Sequence, residues 1–158
     1  MRALLAVCLS VLASIAADPP PKELPEGRVL ATKEPFVSGK VKLAVTSVKV
    51  DDGMAIISMK VYTDDDTAKI DYATMRQVGI RATDNFGNGY RKLKVLLGGA
   101  IPPANSVSKD KPVTDEFAIE RPIKTVEFLD LDLPGPLVGQ KDDIRFRIPR
   151  EMWEPKKK

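Results

Sequence analysis

The hydrophobic residues of this chain recur at every second position in short runs, which is the spacing of β-strands with one buried face. The clearest run covers residues 40–50, where the apolar positions keep one phase as far as Val45 and take the opposite phase from Val48 onward. A β-bulge inserts one extra residue and shifts the phase in this way. The pattern therefore predicts a long strand with a bulge near Thr46 and Ser47.

Turn residues divide the first half of the chain into hairpins. Asp51-Asp52-Gly53 stands between the first run and a second alternating run at residues 54–63, and such a sequence favours the tight turn of a β-hairpin. Asn88-Gly89 stands between runs at residues 78–83 and 90–97, and both turn residues tolerate positive φ angles. We therefore expect two hairpins, the second turning at Asn88-Gly89.

The second half of the chain continues the same pattern. Alternating runs cover residues 113–119, 124–133 and 144–148, and no convincing amphipathic helix interrupts them. Seven or eight short strands at this spacing are typical of two packed antiparallel sheets. The sequence thus predicts an all-β fold, a single antiparallel β-sandwich of about seven to eight strands.

The N-terminus has the order of a secretory signal peptide: Arg2, an uncharged apolar run at residues 3–15, and small residues up to Ala17. The run is shorter than the roughly 20 residues that a membrane-spanning helix needs. The alternatives are an N-terminal anchor, a first core helix, or a lipoprotein signal at Cys8, where the bulky Val7 precedes the cysteine. We expect residues 1–17 to be removed on export, which leaves no transmembrane segment and places the protein in the periplasm, the cell envelope or the extracellular space.

The remaining chain divides by composition. Residues 18–27 read DPPPKELPEG, which favours an extended polyproline conformation and predicts a spacer. Residues 28–153 then form the sandwich domain, and residues 154–158 form a basic tail. This length fits one domain and is sufficient to bury a core without disulfides. Cys8 is the one cysteine of the chain, so the exported protein would contain none.

Composition excludes several kinds of chemistry. The chain contains no histidine, which rules out Ser-His-Asp and Cys-His catalysis and zinc sites with imidazole ligands. No phosphate-binding glycine loop of the Walker type occurs. The 25 basic and 22 acidic residues, with a net charge of +3, are spread along the chain, so the charge pattern shows no nucleic-acid-binding footprint.

Acidic and amide side chains gather in two turn segments, and their oxygen atoms are the ligands that calcium prefers. The candidate calcium ligands are Asp64, Asp65, Asp66, Asp84, Asn85 and Asn88. They would form one site if the two turns lie at the same end of the sandwich. The alternative is that the first segment is solvated and the second is ordinary turn chemistry. No other cofactor is indicated.

Three residues near the C-terminus are candidates for interaction with a partner. Arg145 and Arg147 occupy one face of the last strand, and Trp153 follows that strand. Tryptophan and arginine are enriched at protein interfaces. The alternatives are that the arginines solvate an outer face and discourage edge-to-edge pairing, and that Trp153 caps the core.

Four sequence features, in this order, resemble the bacterial extracellular immunoglobulin-like domains of unknown function that follow a signal or lipoprotein peptide, including uncharacterised exported proteins of the planctomycete type. The features are VKLAVTSVKV at residues 41–50, DNFGNGY at 84–90, FAIERP at 117–122 and IRFRIP at 144–149. The resemblance covers residues 40–152. It implies an immunoglobulin-like two-sheet sandwich with Phe117, Phe128 and Phe146 in the core and Tyr90 buried near the turn. It implies no activity, cofactor or catalytic residue.

These observations predict an exported, non-catalytic interaction or accessory module of the cell envelope. Its partner would be an unknown protein or an envelope polymer, bound through a sheet edge or through the end loops. Two alternatives stay open: a calcium-stabilised structural domain, and a hydrolase that uses only carboxylates. The sequence does not determine the oligomeric state.

Overall fold

The computed structural model describes residues 24–73, 79–95 and 104–154. The predicted signal peptide, most of the predicted spacer and the lysines of the tail lie outside these ranges. The described chain contains twelve strands and two short 3-10 helices, Gly135–Val138 and Arg150–Met152. The strands are β1 (Arg28–Leu30), β2 (Phe36–Ser38), β3 (Val41–Asp51), β4 (Met54–Tyr62), β5 (Ala68–Tyr72), β6 (Arg81–Asp84), β7 (Gly89–Tyr90), β8 (Lys92–Val95), β9 (Ala104–Val107), β10 (Val113–Glu120), β11 (Phe128–Leu133) and β12 (Ile144–Pro149).

The strands form two five-stranded sheets and one small pair. One sheet has the order β1-β12-β11-β6-β7, the other has the order β2-β3-β4-β10-β8, and β5 pairs with β9. The pairs are antiparallel except for β1, which runs parallel to β12. The all-β sandwich predicted from the sequence is confirmed. The twelve described strands outnumber the seven or eight predicted. The strands β1, β2 and β7 have two or three residues and are too short to show a period, and the pair of β5 with β9 was missed.

The strand order supports a two-sheet architecture and does not establish the immunoglobulin topology. The long consecutive strands β3 and β4 are neighbours in one sheet, and in the immunoglobulin arrangement some consecutive strands share a sheet while others do not. Beyond the two-sheet architecture, the likeness to immunoglobulin domains stays a prediction.

One hydrophobic core lies between the two large sheets. The side chains that the two sheets contribute alternate with outward-facing residues along each strand. They include Leu43, Ile57, Met59 and Phe117 from one sheet and Leu129, Leu131, Phe146 and Ile148 from the other. Each of these eight side chains is at most 1% exposed, so the period-two pattern of the sequence identified the buried face correctly.

The first hairpin follows the prediction closely. Asp52 and Gly53 both have positive φ, 36° and 78°, as a two-residue turn between twisted strands requires. The register of β3 against β4 shifts between Val45 and Ser47. The predicted bulge is therefore confirmed, and it explains why the buried positions change phase in the middle of β3.

The second hairpin differs from the prediction. The positive φ lies at Gly87, 84°, while Gly89 already belongs to β7, so the prediction of a turn at Asn88-Gly89 was wrong by one to two residues. The Asp84 amide donates to the Asn88 carbonyl at 3.1 Å, which closes a three-residue loop with glycine in the left-handed position. The Asp84 carboxylate stabilises this longer loop.

The strand predicted at residues 90–97 is divided between the two sheets. β7 ends at Tyr90 in one sheet, and β8 begins at Lys92 in the other; residues 96 and 97 lie outside the described residues. The chain crosses at Arg91, whose carbonyl accepts a hydrogen bond from the Glu120 amide at 3.3 Å. Alternation alone cannot show this crossing, because both halves keep the same local pattern.

Phe117, Phe128 and Phe146 are all buried, as expected. Phe128, 9% exposed, is not part of the cluster between the two sheets; the guanidinium of Arg147 stacks on its ring at 3.7 Å. Tyr90 is half-buried. Among the described residues no helix is long and apolar enough to cross a membrane.

Candidate functional site

The carboxylate of Asp84 organises the loop between β6 and β7. One oxygen accepts the backbone amides of Phe86 and Asn88, each at 2.9 Å. The other accepts the Asn88 side-chain amide at 3.0 Å and the Tyr90 hydroxyl at 2.8 Å. A buried carboxylate needs such donors. Four donors to one side chain hold the loop in a single conformation.

The pKa values of this cluster follow from the same contacts. Burial alone would raise the pKa of Asp84, but hydrogen bonds from Asn88, Tyr90 and Phe86 together outweigh burial and lower it. Burial first, and then the Asp84 carboxylate, raise the pKa of Tyr90 to about 12. The aspartate therefore stays charged and the tyrosine stays protonated near neutral pH.

A change at Asp84 tests this cluster. Asp84→Asn should lower the free energy of unfolding by about 1–2 kcal/mol at neutral pH, because one oxygen that accepts two hydrogen bonds becomes a donor. Since the folded pKa of Asp84 lies below the unfolded value near 4, its contribution is present at neutral pH and is lost as the pH falls through the folded pKa. Urea unfolding between pH 7 and 3 should therefore show a flatter acid limb for the variant.

The matched control for that experiment is Asp110→Asn, since Asp110 is exposed in another turn. This variant should keep both the stability and the acid limb of the wild-type protein. A flatter acid limb in the control as well would show that the effect does not arise at Asp84.

Two further loops are attached to the same end of the sandwich. The Asn85 side-chain oxygen accepts the Glu127 amide at 2.9 Å, which joins the loop at residues 121–127 to the Asp84 loop. The Arg121 amide donates to the Gly53 carbonyl at 3.0 Å, which joins the β3–β4 turn. We call the loops at residues 51–53, 84–88 and 121–127 the loop end.

Two large apolar side chains project from the loop end. Phe86 is 60% exposed and Ile123 is 59% exposed. The Phe86 amide donates a hydrogen bond to the Asp84 carboxylate. The backbone of Ile123 forms a hydrogen bond with the Tyr90 hydroxyl, and this bond lowers the pKa of Tyr90, opposing the rise caused by burial and by Asp84. Other exposed large apolar residues, Leu24, Val37 and Leu93, lie on other elements. We take these two exposed apolar side chains, on loops held by hydrogen bonds, as the candidate contact surface of the loop end.

Basic side chains flank this pair. Arg121 and Lys124 are exposed. Arg150 forms an ion pair with Glu154 at 2.6 Å. Arg150 first, and more weakly Arg121 and Lys124, lower the pKa of Glu154, which shows that the three cations lie around one carboxylate. The exposed acids Asp51, Asp52 and Glu127 belong to the same loops, so the loop end carries both signs of charge.

The candidate calcium ligands are not brought together. Asp64–Asp66 follow the far end of β4, whereas Gly53, at the start of β4, is bound to the loop end. Nine residues of strand separate these ends by roughly 25–30 Å. The condition for one joint site, that both segments lie at the same end of the sandwich, is therefore not met by the described residues.

Each carboxylate of the first segment lies beside a lysine. Asp64 pairs with Lys42, Asp65 with Lys40 at 2.7 Å, and Asp66 with Lys109 at 2.8 Å. The aspartates and Lys40 line an open depression of about 540 Å³. The described residues contain no group of three or more acidic, histidine or cysteine side chains arranged to hold a metal ion. A cation entering there would have to displace the lysines.

We accordingly expect calcium to leave the melting temperature unchanged, because a ligand stabilises only the state that binds it. The measurement is a thermal melt with millimolar calcium and with chelator. A reproducible rise with calcium would contradict the expectation, and a loss of that rise in Asp65→Asn but not in Asp110→Asn would place the site in the depression.

The predicted interaction candidates have different environments. Arg145 is exposed. The Arg147 side chain is only 9% exposed and forms two hydrogen bonds with Asp130, at 2.9 and 3.0 Å. Trp153 is 8% exposed and belongs to the core, which is the capping alternative. A partner role therefore stays a prediction for Arg145, while little surface of Arg147 and Trp153 is open to a partner.

Sequence reasoning did not single out Phe86 and Ile123. A signal was present, since Asn85-Phe86-Gly87 and Pro122-Ile123-Lys124 place a large apolar residue between turn-forming or charged ones. Turns are usually polar. An apolar residue at the tip of a predicted turn is therefore a mark of an exposed contact residue.

Comparison with known proteins gives no match by sequence and a distant likeness by structure. No protein-family model and no curated protein matches the sequence. Among solved structures, the chain is similar to the crystal structure of the yjhA protein from Bacillus subtilis, with a TM-score of 0.49 and 16% sequence identity. The match covers 77% of this chain and 98% of that chain. A likeness of this size carries no argument about function.

Proposed function

We propose that this chain is an exported, non-catalytic interaction module that binds a component of the cell envelope through the loop end. The observation that carries the proposal is the exposure of Phe86 and Ile123, 60% and 59%, on loops fixed by the Asp84 hydrogen bonds. A fixed loop loses little conformational freedom on binding, so less of the contact energy is spent on ordering it.

A sheet edge is the other route by which a sandwich binds a partner, and the structure supports it less. Among the described strands, the edges of the two large sheets are β1, β2, β7 and β8, with three, three, two and four residues, and the small pair β5 and β9 has five and four. Strands this short offer few free backbone groups to an added peptide, and short edges are a common protection against such pairing. The loop end is therefore the better supported surface.

The test is chemical cross-linking of the purified protein to an envelope extract, followed by identification of the product. Phe86→Ser with Ile123→Ser should reduce the cross-linked product at least about tenfold, because each exposed apolar side chain contributes on the order of 1 kcal/mol or more when buried in a partner. The matched control is Val37→Ser, a side chain that is 56% exposed on β2.

Val37 pairs in register with Lys42, which pairs with Tyr62, so the control lies at the opposite end of the sandwich. Equal cross-linking by the double variant and the wild type would contradict the proposal. Loss of the cross-linked product in the Val37 variant alone would place the binding surface on β2 instead of the loop end.

A further inference from the structure

Asn88 is the one asparagine of the chain that is followed by glycine. The other two are Asn85, followed by phenylalanine, and Asn105, followed by serine. An asparagine side chain loses ammonia when the backbone nitrogen of the next residue attacks its carbonyl carbon. A glycine in the next position leaves that nitrogen unhindered, because glycine has no Cβ. The sequence therefore makes Asn88 the asparagine most open to this reaction.

The surroundings of Gly89 leave room for the attack. Asn88 and Gly89 are both exposed, and a Cβ added at Gly89 would meet no atom within 4 Å apart from its chain neighbours. The Asp84 amide donates to the Asn88 carbonyl, and Gly89 lies opposite Thr83 at the next position of the ladder. Hydrogen-bonded and non-hydrogen-bonded pairs alternate along an antiparallel ladder, so the Gly89 N–H group points away from β6, at the edge of the described sheet.

The side chain of Asn88, by contrast, is held in place. Its amide nitrogen donates to one oxygen of the Asp84 carboxylate at 3.0 Å, and its backbone amide donates to the other oxygen at 2.9 Å. A hydrogen-bonded side chain turns less freely toward the Gly89 nitrogen, so the reaction proceeds chiefly from conformations in which the loop has opened. Because β7 is an edge strand of two residues, this loop opens more often than the strands of the core.

We propose that Asn88 is a site of spontaneous deamidation, and that the Asp84 carboxylate slows the reaction by holding the loop closed. In the first step the Gly89 nitrogen gives its proton to a solvent base and bonds to the side-chain carbonyl carbon of Asn88. The bond from that carbon to the side-chain nitrogen breaks, and this nitrogen takes up a proton and leaves as ammonia. Water then opens the cyclic imide at one of its two carbonyl groups, which leaves aspartate or isoaspartate at position 88.

Conversion removes contacts that fix the loop. The Asp84 carboxylate loses the side-chain donor of Asn88 and gains a second carboxylate beside it, and two carboxylates sharing a site repel each other. In isoaspartate the chain runs through the former side chain, so the carbonyl that accepts the Asp84 amide becomes a free carboxylate. The reaction therefore loosens the loop, whether or not the loop end binds an envelope component.

The experiment is incubation of the purified, folded protein at mildly alkaline pH, followed by digestion at acidic pH and mass spectrometry of the asparagine-containing peptides. Asn88 should convert at least about tenfold faster than Asn85 and Asn105. The rate should rise with pH, because the attacking nitrogen must lose its proton.

Gly89→Ala is the matched control for the site. Gly89 is not among the glycines with positive φ and has room for a Cβ, so the variant keeps Asn88 and its hydrogen bonds. The added Cβ hinders the attacking nitrogen and should slow conversion at least about tenfold. Conversion of Asn88 no faster than that of Asn105 in the folded wild type, or an unchanged rate in Gly89→Ala, would overturn the assignment of the site.

Two variants test the role of Asp84. Asp84→Ala removes the acceptor and should speed the conversion of Asn88 about fivefold or more, because a loop without this anchor opens more often. Tyr90→Phe is a milder change that keeps the carboxylate and three of its four donors, and it should speed conversion by a smaller factor. Equal rates in the wild type and both variants would show that Asp84 does not control the reaction.

Asn88→Asp reproduces one product of the reaction directly. It should lower the melting temperature by several degrees, whereas Asn105→Asp, which adds the same charge at an exposed position of β9, should leave the melting temperature nearly unchanged. Equal melting temperatures for Asn88→Asp and the wild type would overturn the expected loosening of the loop.

Discussion

Asp130→Ala is expected to lower the free energy of unfolding by about 3–5 kcal/mol, because it removes one partner from a largely buried charge cluster. The Asp130 carboxylate pairs with Arg147 at 2.9 Å and lies 3.6 Å from the Arg28 guanidinium. Arg28 also pairs with Asp132 at 3.0 Å. The side chains of Arg28 and Arg147 are 11% and 9% exposed, so water can replace little of the lost interaction.

Two controls separate burial from charge. Asp143→Ala removes the partner of Arg81, whose side chain is 71% exposed, and should cost no more than about 1 kcal/mol. The double variant Asp130→Leu with Arg147→Met removes both charges of one pair and should be more stable than Asp130→Ala. Urea unfolding of the four proteins gives these differences. A cost below about 1 kcal/mol for Asp130→Ala would show that the cluster is solvated.

Phe146→Ala is expected to lower the free energy of unfolding by about 3–5 kcal/mol, the range observed when a buried phenylalanine is replaced by alanine. Phe146 is fully buried in the centre of β12, and its ring meets that of Phe36 edge to face with centroids 6.5 Å apart. Since Phe36 belongs to β2 of the other sheet, the cavity would also loosen the contact between the sheets.

Phe86→Ala is the matched control for that change, since it removes the same atoms from a side chain that is 60% exposed. Its effect should stay within about 0.5 kcal/mol. Guanidinium unfolding measures both variants. If Phe86→Ala lowered the free energy of unfolding as much as Phe146→Ala, the Phe86 side chain would be packed in solution. That result would count against the loop end as an open surface.

Sequence periodicity predicted those features that are determined by the order of apolar residues within a single strand or hairpin. The bulge of β3, the turn at Asp52-Gly53 and the buried row Leu129, Leu131 and Leu133 of β11 all follow from the order of apolar residues. These features depend on neighbours a few residues away, which is the range over which pattern arguments are reliable.

Features that depend on contacts between distant residues were not predictable in this way. Asp115 interrupts the apolar row of β10, yet it is only 1% exposed. It lies beside the buried Tyr72, whose pKa is raised first by burial and second by the Asp115 carboxylate. Phe128 is buried apart from the cluster between the sheets, because the guanidinium of Arg147 covers its ring. A polar residue in a buried row, or an aromatic residue on an outer face, is explained only by a partner from another strand.

The candidate site was predictable in part. The sequence indicated end loops as one binding route, and it located the turn that contains Asp84. It assigned Asp84, Asn85 and Asn88 to possible metal ligation, whereas the oxygens of Asp84 and Asn85 hold loops together. Which side chain of a turn faces inward is decided by its hydrogen-bond partners, and these come from residues up to 42 positions away.

The parallel pairing of β1 with β12 determines how the domain responds to mechanical load. The chain enters the sandwich at Arg28 and leaves β12 at Pro149, and the two strands run in the same direction with Arg28 opposite Arg145. Tension between the two ends of the domain therefore slides β1 along β12, so that their hydrogen bonds and the Arg28 ion pair bear the force together instead of opening one after another. A module tethered by its N-terminal segment and bound elsewhere would resist extension at this junction.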